Sequence, residues 1–142
     1  QWVVAIVIVG LVAVGLAHAG WRGTVACIAR ETVRRMVDVF GCRPADLWAG
    51  IGASIGPCCY RVGRDCAEAV VAASSPGPDP AGILVEAADG PHLDLRAAVR
   101  AQLVAAGLRP DAVALAPWCT GCSTRRAPRK AATGCAPGAT AA

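Results

Sequence analysis

Residues 11–40 read LVAVGLAHAGWRGTVACIARETVRRMVDVF, and the hydrophobic period changes inside this stretch. Up to the AHAGWRG segment the chain is apolar and rich in Val and Ile, which favours buried strands at 3–9 and 11–16. After Gly23, apolar residues recur at three- and four-residue steps, which predicts an amphipathic helix over 24–40. The fold is therefore predicted to begin with strands that lead through a glycine-containing turn into a helix.

The N-terminal apolar run has a second interpretation, a membrane span. A helix that crosses a bilayer needs about 20 apolar residues. The run at 2–17 has sixteen residues and holds Gly10 and Gly15. We therefore predict buried strands and no membrane association.

Helical and strand patterns alternate over the rest of the chain. Strands are predicted at 48–55 and 113–116, and helices at 64–73 and 94–106. The last helix has Asp94 as its N-terminal cap and ends at Gly107. Residues 74–82 hold three prolines and two glycines and predict a surface loop. This alternation predicts a single compact α/β or α+β domain.

The positive charge is confined to the C-terminal end. The net charge is +4, but residues 1–122 carry ten Arg and ten acidic residues, which cancel. The excess comes from four basic residues in the tail, Arg125, Arg126, Arg129 and Lys130. We predict a folded domain over 1–122 and a disordered basic tail over 123–142. A folded body without a basic face argues against nucleic acid as a partner.

Cysteine usage indicates a reducing environment. Eight cysteines among 142 residues are fewer than a disulfide scaffold usually holds. Cys27 falls on the apolar face of the predicted helix, as a buried thiol would. No secretory signal pattern is found. We therefore predict a cytoplasmic setting with mostly free thiols.

The turn at 18–24, HAGWRGT, is the first candidate site. Its two glycines allow a sharp turn with close backbone approach, and a helix start offers unpaired N–H groups. Arg22 adds a fixed cation suited to phosphate. The positive field at the helix start favours a neutral His18, which can bind a metal or accept a proton. The alternative is a structural turn around a buried, hydrogen-bonded His18.

Other short motifs predict structure rather than chemistry. GIGASIG at 50–56 places its third glycine wrongly for a dinucleotide loop, so tight packing or a bulge is expected. The adjacent Cys58 and Cys59 are expected to be buried thiols, with one facing a pocket as the alternative. CTGC at 119–122 has the spacing of a zinc knuckle or redox pair, but no second C-x-x-C accompanies it. His92 is predicted at the surface.

Four stretches in order resemble the laccase-domain family. They are AHAGWRGT at 17–24, IGPCCYRV at 55–62, LDLRAAVRAQLVAAG at 93–107 and WCTGC at 118–122. The family is also called multicopper polyphenol oxidase, zinc-dependent purine nucleoside phosphorylase or peptidoglycan editing factor. The match runs from about His18 to Cys122, and only its first motif is highly specific. The resemblance implies a compact α/β domain with a mixed sheet and helices on both sides.

The resemblance also implies an activity. It implies phosphorolysis of adenosine, inosine, guanosine and methylthioadenosine, together with deamination of adenosine. The substrates would be a purine nucleoside and phosphate, and the cofactor would be Zn²⁺. A copper-dependent polyphenol oxidase is one alternative, and an inactive remnant of the family is another.

The resemblance assigns His18 as a metal ligand and catalytic residue, and we add Arg22 as a phosphate contact. In the family a Cys on the preceding strand and an upstream His complete the metal site. Gln1 stands near the position of that Cys, and the upstream His falls outside the chain. Arg61 stands where the family usually has Glu. We expect an N-terminally incomplete domain whose own turnover is weak or absent.

Overall fold

The computed structural model describes residues 5–9, 13–74 and 82–123. Residues 75–81 of the predicted loop lie outside the described residues. The predicted basic tail also lies outside them, apart from Ser123. The predicted division of the chain at residue 122 therefore stays a prediction.

Strands and helices alternate along the described chain, as predicted. The strands are β1 (Ala5–Val9), β2 (Val14–His18), β3 (Trp48–Ile51), β4 (Leu84–Ala87), β5 (Gly90–Leu93) and β6 (Val113–Leu115). The helices are α1 (Trp21–Val25), α2 (Ile28–Phe40), α3 (Arg64–Ser74), α4 (Leu95–Ala105) and α5 (Thr120–Ser123). Among the described residues, no helix is long and apolar enough to cross a membrane.

The main sheet is mixed, which agrees with the predicted class. Its strand order is β2-β1-β3-β6. Strand β1 is antiparallel to β2 and to β3, whereas β3 and β6 are parallel. Strands β4 and β5 form a separate antiparallel hairpin. The pairing of Ala5 with His18 places the end of β2 beside the start of β1.

Strand β2 is not buried as the sequence predicted. Val14 and Leu16 are 69% and 70% exposed. Gly15 faces α2, where a Cβ would lie 3.1 Å from a methyl carbon of Thr32. Because β2 is an edge strand and α2 covers only one of its faces, alternate side chains remain open to solvent. The described helices that contact this sheet, α2 and α4, lie on that covered face.

The predicted helix over 24–40 is two helices. Helix α1 begins earlier, at Trp21, and Cys27 separates it from α2 with a left-handed φ of 54°. Trp21 and Val25 then pack against α3 and α4, whereas Val33 of α2 packs under the sheet. The break lets consecutive turns bury their apolar residues in different cores. Cys27 is half-buried at this junction and does not lie on a continuous helix face.

The hairpin over 84–93 was not predicted, and it changes the position of His92. This residue was expected at the surface but is buried in β5. Its Nδ1 faces the carbonyl oxygen of Pro57 at 2.5 Å, and its Nε2 faces the carboxylate of Asp89 at 3.0 Å. The imidazole is buried because both ring nitrogens have partners there.

Candidate functional site

The turn after β2 brings the histidine close to the backbone of the following helix. His18 is the last residue of β2. A Cβ added at Gly20 would lie 3.4 Å from His18 Nε2, and one at Gly23 would lie 3.2 Å from the His18 carbonyl oxygen. The two glycines therefore provide the close approach that the sequence predicted.

His18 is exposed, on the same side of β2 as Val14 and Leu16. No described residue makes a hydrogen bond to its imidazole. The alternative of a buried, hydrogen-bonded His18 is therefore wrong. Both ring nitrogens are accessible for a ligand or a proton.

Arg22 is exposed in the first turn of α1, with its guanidinium carbon 4.4 Å from the centre of the Trp21 ring. Among the described residues it has no carboxylate partner. Burial raises the pKa of Tyr60 and of Cys66, and the charge of Arg22 opposes both shifts. The positive field of Arg22 therefore reaches the segment after β3.

Helix α1 supplies less positive field than a long helix would. It has five residues, and its Thr24 N–H and hydroxyl both donate to the Gly20 carbonyl, at 2.8 and 3.0 Å. The helix dipole builds up over aligned peptide units, so one short turn contributes little. An anion at this turn would depend on the Arg22 guanidinium.

Gln102 supports the turn at 18–24 through hydrogen bonds of its side-chain amide. This role was not predicted from the sequence. Its Nε2 donates to the Thr24 carbonyl at 2.7 Å and to Ser74 Oγ at 3.2 Å. It is 2% exposed and Thr24 is fully buried. The sequence feature that could have indicated this role was a polar glutamine beside Leu103 on the apolar side of α4.

The described residues do not form a metal site around His18. Their single group of three or more candidate metal ligands consists of cysteines and excludes His18. The donors described around the imidazole therefore do not fit a catalytic zinc, which generally takes three protein ligands. The role of His18 as a ligand stays a prediction, and no reaction step below passes through a metal.

That cysteine group joins two motifs that were treated separately in the sequence. Cys58, Cys59, Cys119 and Cys122 place their sulfurs within 4.8 Å of one another. A second C-x-x-C is not required for such a group, because two adjacent cysteines can also supply neighbouring sulfurs. A C-C pair together with a distant C-x-x-C was the signal that could have indicated the cluster.

The protein is a mixed α/β domain in which an exposed strand-end histidine and an arginine without a described carboxylate partner share one turn. The sequence comparisons identify the class more closely. The chain belongs to the multi-copper polyphenol oxidoreductase laccase family, whose sequence model matches residues 4–133.

Several relatives have named activities. The chain is 40% identical over 112 residues to purine nucleoside phosphorylase YlmD of Geobacillus stearothermophilus. This alignment covers 77% of this chain and 39% of that protein. It is 36% identical over 99 residues to human purine nucleoside phosphorylase LACC1, covering 70% of this chain and 22% of that protein. It is 40% identical over 115 residues to adenosine deaminase RL5 of an unknown prokaryotic organism, covering 80% of this chain and 42% of that protein.

The fold agrees with a solved structure. The crystal structure of YlmD from Geobacillus stearothermophilus matches with a TM-score of 0.76 at 36% identity, over 83% of this chain and 44% of that one. The chain spans less than half the length of the relatives named here. The family and the fold are therefore established.

Proposed function

We propose that this chain carries part of a purine nucleoside phosphorylase site, with His18 and Arg22 as its reactive pair. The observation that carries the proposal is the turn itself. It presents an exposed imidazole and an exposed guanidinium four residues apart, and no described carboxylate neutralises the guanidinium. The names of the relatives support the reaction class.

In phosphorolysis a phosphate oxygen attacks the anomeric carbon of the ribose, and the bond to the purine nitrogen breaks. The products are a sugar 1-phosphate and the free purine. Arg22 would bind the phosphate with two parallel N–H···O bonds, which a planar guanidinium favours. Stacking on Trp21 limits the rotamers of Arg22 and so lowers the entropy lost on binding.

His18 would donate a proton to the departing purine. Its Nε2 lies over Gly20, at the start of the turn that bears Arg22. A protonated Nε2 could donate to the leaving nitrogen as negative charge develops there. The substrates we propose are adenosine, inosine, guanosine and methylthioadenosine, with phosphate as the second substrate.

Two further elements belong to this proposal. Similarity to adenosine deaminase RL5 favours deamination of adenosine as a second activity. Zinc dependence, with copper as the alternative metal, would instead use His18 as a ligand and requires further ligands beyond those described. We therefore expect turnover by the 142-residue chain to be far below that of full-length YlmD.

The test is release of adenine and ribose 1-phosphate from adenosine by the purified chain, with and without inorganic phosphate and added Zn²⁺. Formation of inosine in the same samples measures deamination. Arg22→Ala is expected to raise the KM for phosphate by about 10- to 100-fold, the loss of one charged hydrogen-bonding partner. His18→Ala is expected to lower kcat. Arg30→Ala, an exposed arginine on α2, is the matched control.

Phosphate binding gives a readout that does not depend on turnover. Broadening of the phosphorus NMR line of inorganic phosphate should occur with the native chain and the Arg30→Ala variant, and should be lost with Arg22→Ala. Equal broadening by all three proteins would reject Arg22 as the phosphate contact. Native turnover in His18→Ala would likewise reject the catalytic role of His18.

A further inference from the structure

Two distant segments meet at the parallel edge of the main sheet. Ser54 and Cys119 form an isolated parallel bridge, and the Thr120 N–H donates to the Ser54 carbonyl at 3.0 Å. Beyond the bridge, the N–H groups of Cys59 and Tyr60 both donate to the Gly56 carbonyl at 3.0 Å. This turn holds the C-C pair against the C-x-x-C segment.

The sulfur positions match what a tetrahedral metal requires. With metal–sulfur bonds of about 2.3 Å, tetrahedral thiolates lie roughly 3.8 Å apart. The Cys59 and Cys122 sulfurs are 3.3 Å apart, and every sulfur pair in the group lies within 4.8 Å. The separation of Cys59 and Cys122 is therefore within about 0.5 Å of the required one, and no pair exceeds it by more than about 1 Å.

Backbone N–H groups already stabilise negative charge on one of these sulfurs. The Gly56 N–H donates to the buried Cys119 sulfur at 3.1 Å. Burial raises the pKa of Cys119, but N–H donors from Gly56, Gly121 and Cys122 outweigh burial and lower the pKa below its usual value. Burial and the neighbouring thiols raise the pKa of Cys59 to about 12. The Gly56 N–H therefore already points at a sulfur that would carry negative charge as a metal ligand.

Two glycines make room for the sulfurs. A Cβ at Gly121 would lie 2.8 Å from Cys59 Cβ and 3.1 Å from its sulfur. A Cβ at Gly56 would lie 3.3 Å from Cys119 Cβ and 3.4 Å from a terminal nitrogen of Arg96. The guanidinium of Arg96, which pairs with the Asp94 carboxylate at 3.1 Å, is therefore near the cluster.

We propose that Cys59, Cys119 and Cys122 form a three-thiolate site for a thiophilic d¹⁰ cation such as Zn²⁺, separate from His18. Cys58 is disulfide-bonded, so the site does not use it as a thiolate. Cys122 is exposed, so an ion could enter the site from solvent, although the Cys58 sulfur lies 3.4 Å from that of Cys122. Binding exchanges the thiol protons for one metal ion, so it releases protons and needs no oxidant. The ion would fix the C-x-x-C segment to the loop after β3.

The test uses the whole chain, purified under argon without added reductant so that the Cys58 disulfide is kept, and then loaded with Zn²⁺ or Co²⁺. After removal of free metal we expect about one equivalent retained per chain. With Co²⁺ we expect a near-ultraviolet thiolate-to-metal charge-transfer band. Cys59→Ser and Cys122→Ser should lose the band and most of the metal. Cys42→Ser and His18→Ala should keep both.

A second measurement needs only the native chain. Bound Zn²⁺ should protect Cys119 and Cys122 from alkylation, as read by peptide mass spectrometry, while Cys42 reacts equally with and without the metal. A chelator should remove the protection. Retention of full metal by Cys59→Ser or Cys122→Ser would overturn the proposal. So would a native chain that holds no metal, or loss of the charge-transfer band in His18→Ala.

Discussion

The turn at 18–24 and the cysteine cluster differ in how their parts come together. Seven consecutive residues build the turn, whereas Cys59 and Cys122 are 63 positions apart. His18 and Arg22 are exposed and have few described partners. The cysteines lie between two segments joined by backbone hydrogen bonds.

The two sites therefore tolerate different changes. The exposed side chains of the turn contribute little to the free energy of unfolding, so they are open to functional use. A cluster assembled from distant segments depends on packing around it, so its geometry fails when a neighbour is enlarged.

Gly121→Val should damage the cluster most. The added carbon atoms would overlap Cys59, whose Cβ lies only 2.8 Å from the site of a new Cβ. Overpacking of this kind costs roughly 1–3 kcal/mol. The measurement is the free energy of unfolding in urea. Gly50→Val is the matched control, because a Cβ at Gly50 would have no heavy atom within 4 Å. Equal stability of the two variants would show that Cys59 moves freely.

Gln102→Ala should disturb the turn through its support. The Thr24 carbonyl would lose the amide that donates to it at 2.7 Å, in a fully buried position. The carbonyl keeps the Cys27 N–H at 3.0 Å, so the variant loses one hydrogen bond to it, which contributes about 0.5–1.5 kcal/mol. Arg100→Ala on the same helix is the control, and both can be compared by thermal unfolding. If Gln102→Ala is as stable as the control, the turn does not depend on this contact.

Asp89→Asn should change how stability depends on pH. The hydrogen bond from His92 lowers the pKa of Asp89 below its usual value of 3.8. Because the folded-state pKa is the lower one, the contribution is present above about pH 4 and is lost as pH falls through the folded-state pKa. The native chain should exceed the variant in unfolding temperature at pH 6, and the difference should vanish in strong acid. A constant difference at all pH values would contradict this assignment. Asp89 is exposed, so the effect should be small.

His18→Ala and Arg22→Ala should have the smallest effect on stability. Both side chains are exposed, and changes at such positions usually stay within about 0.5 kcal/mol. Unfolding in urea measures this directly. A loss above 2 kcal/mol for either variant, a threshold typical of buried groups, would show that the turn is structural and would break the contrast with the cluster.

Much of the fold could be predicted from local patterns. The helix at α3 and the capped helix at α4 follow from apolar spacing, and Asp94 indeed accepts from the N–H groups of Arg96 and Ala97. The break at Cys27 could not be predicted, because the apolar spacing continues through it. Only the second core, which draws Val25 away from Val33, explains that break.

The sequence by itself determined the strand–turn–helix unit and the position of His18 and Arg22, because residues close in sequence are held close by the backbone. It could not assign β2 to a sheet edge, bury His92 or bring Cys59 to Cys122. Those outcomes depend on which strand pairs with which and on which loop packs beside it. Such contacts form between segments far apart along the chain, and no local period encodes them.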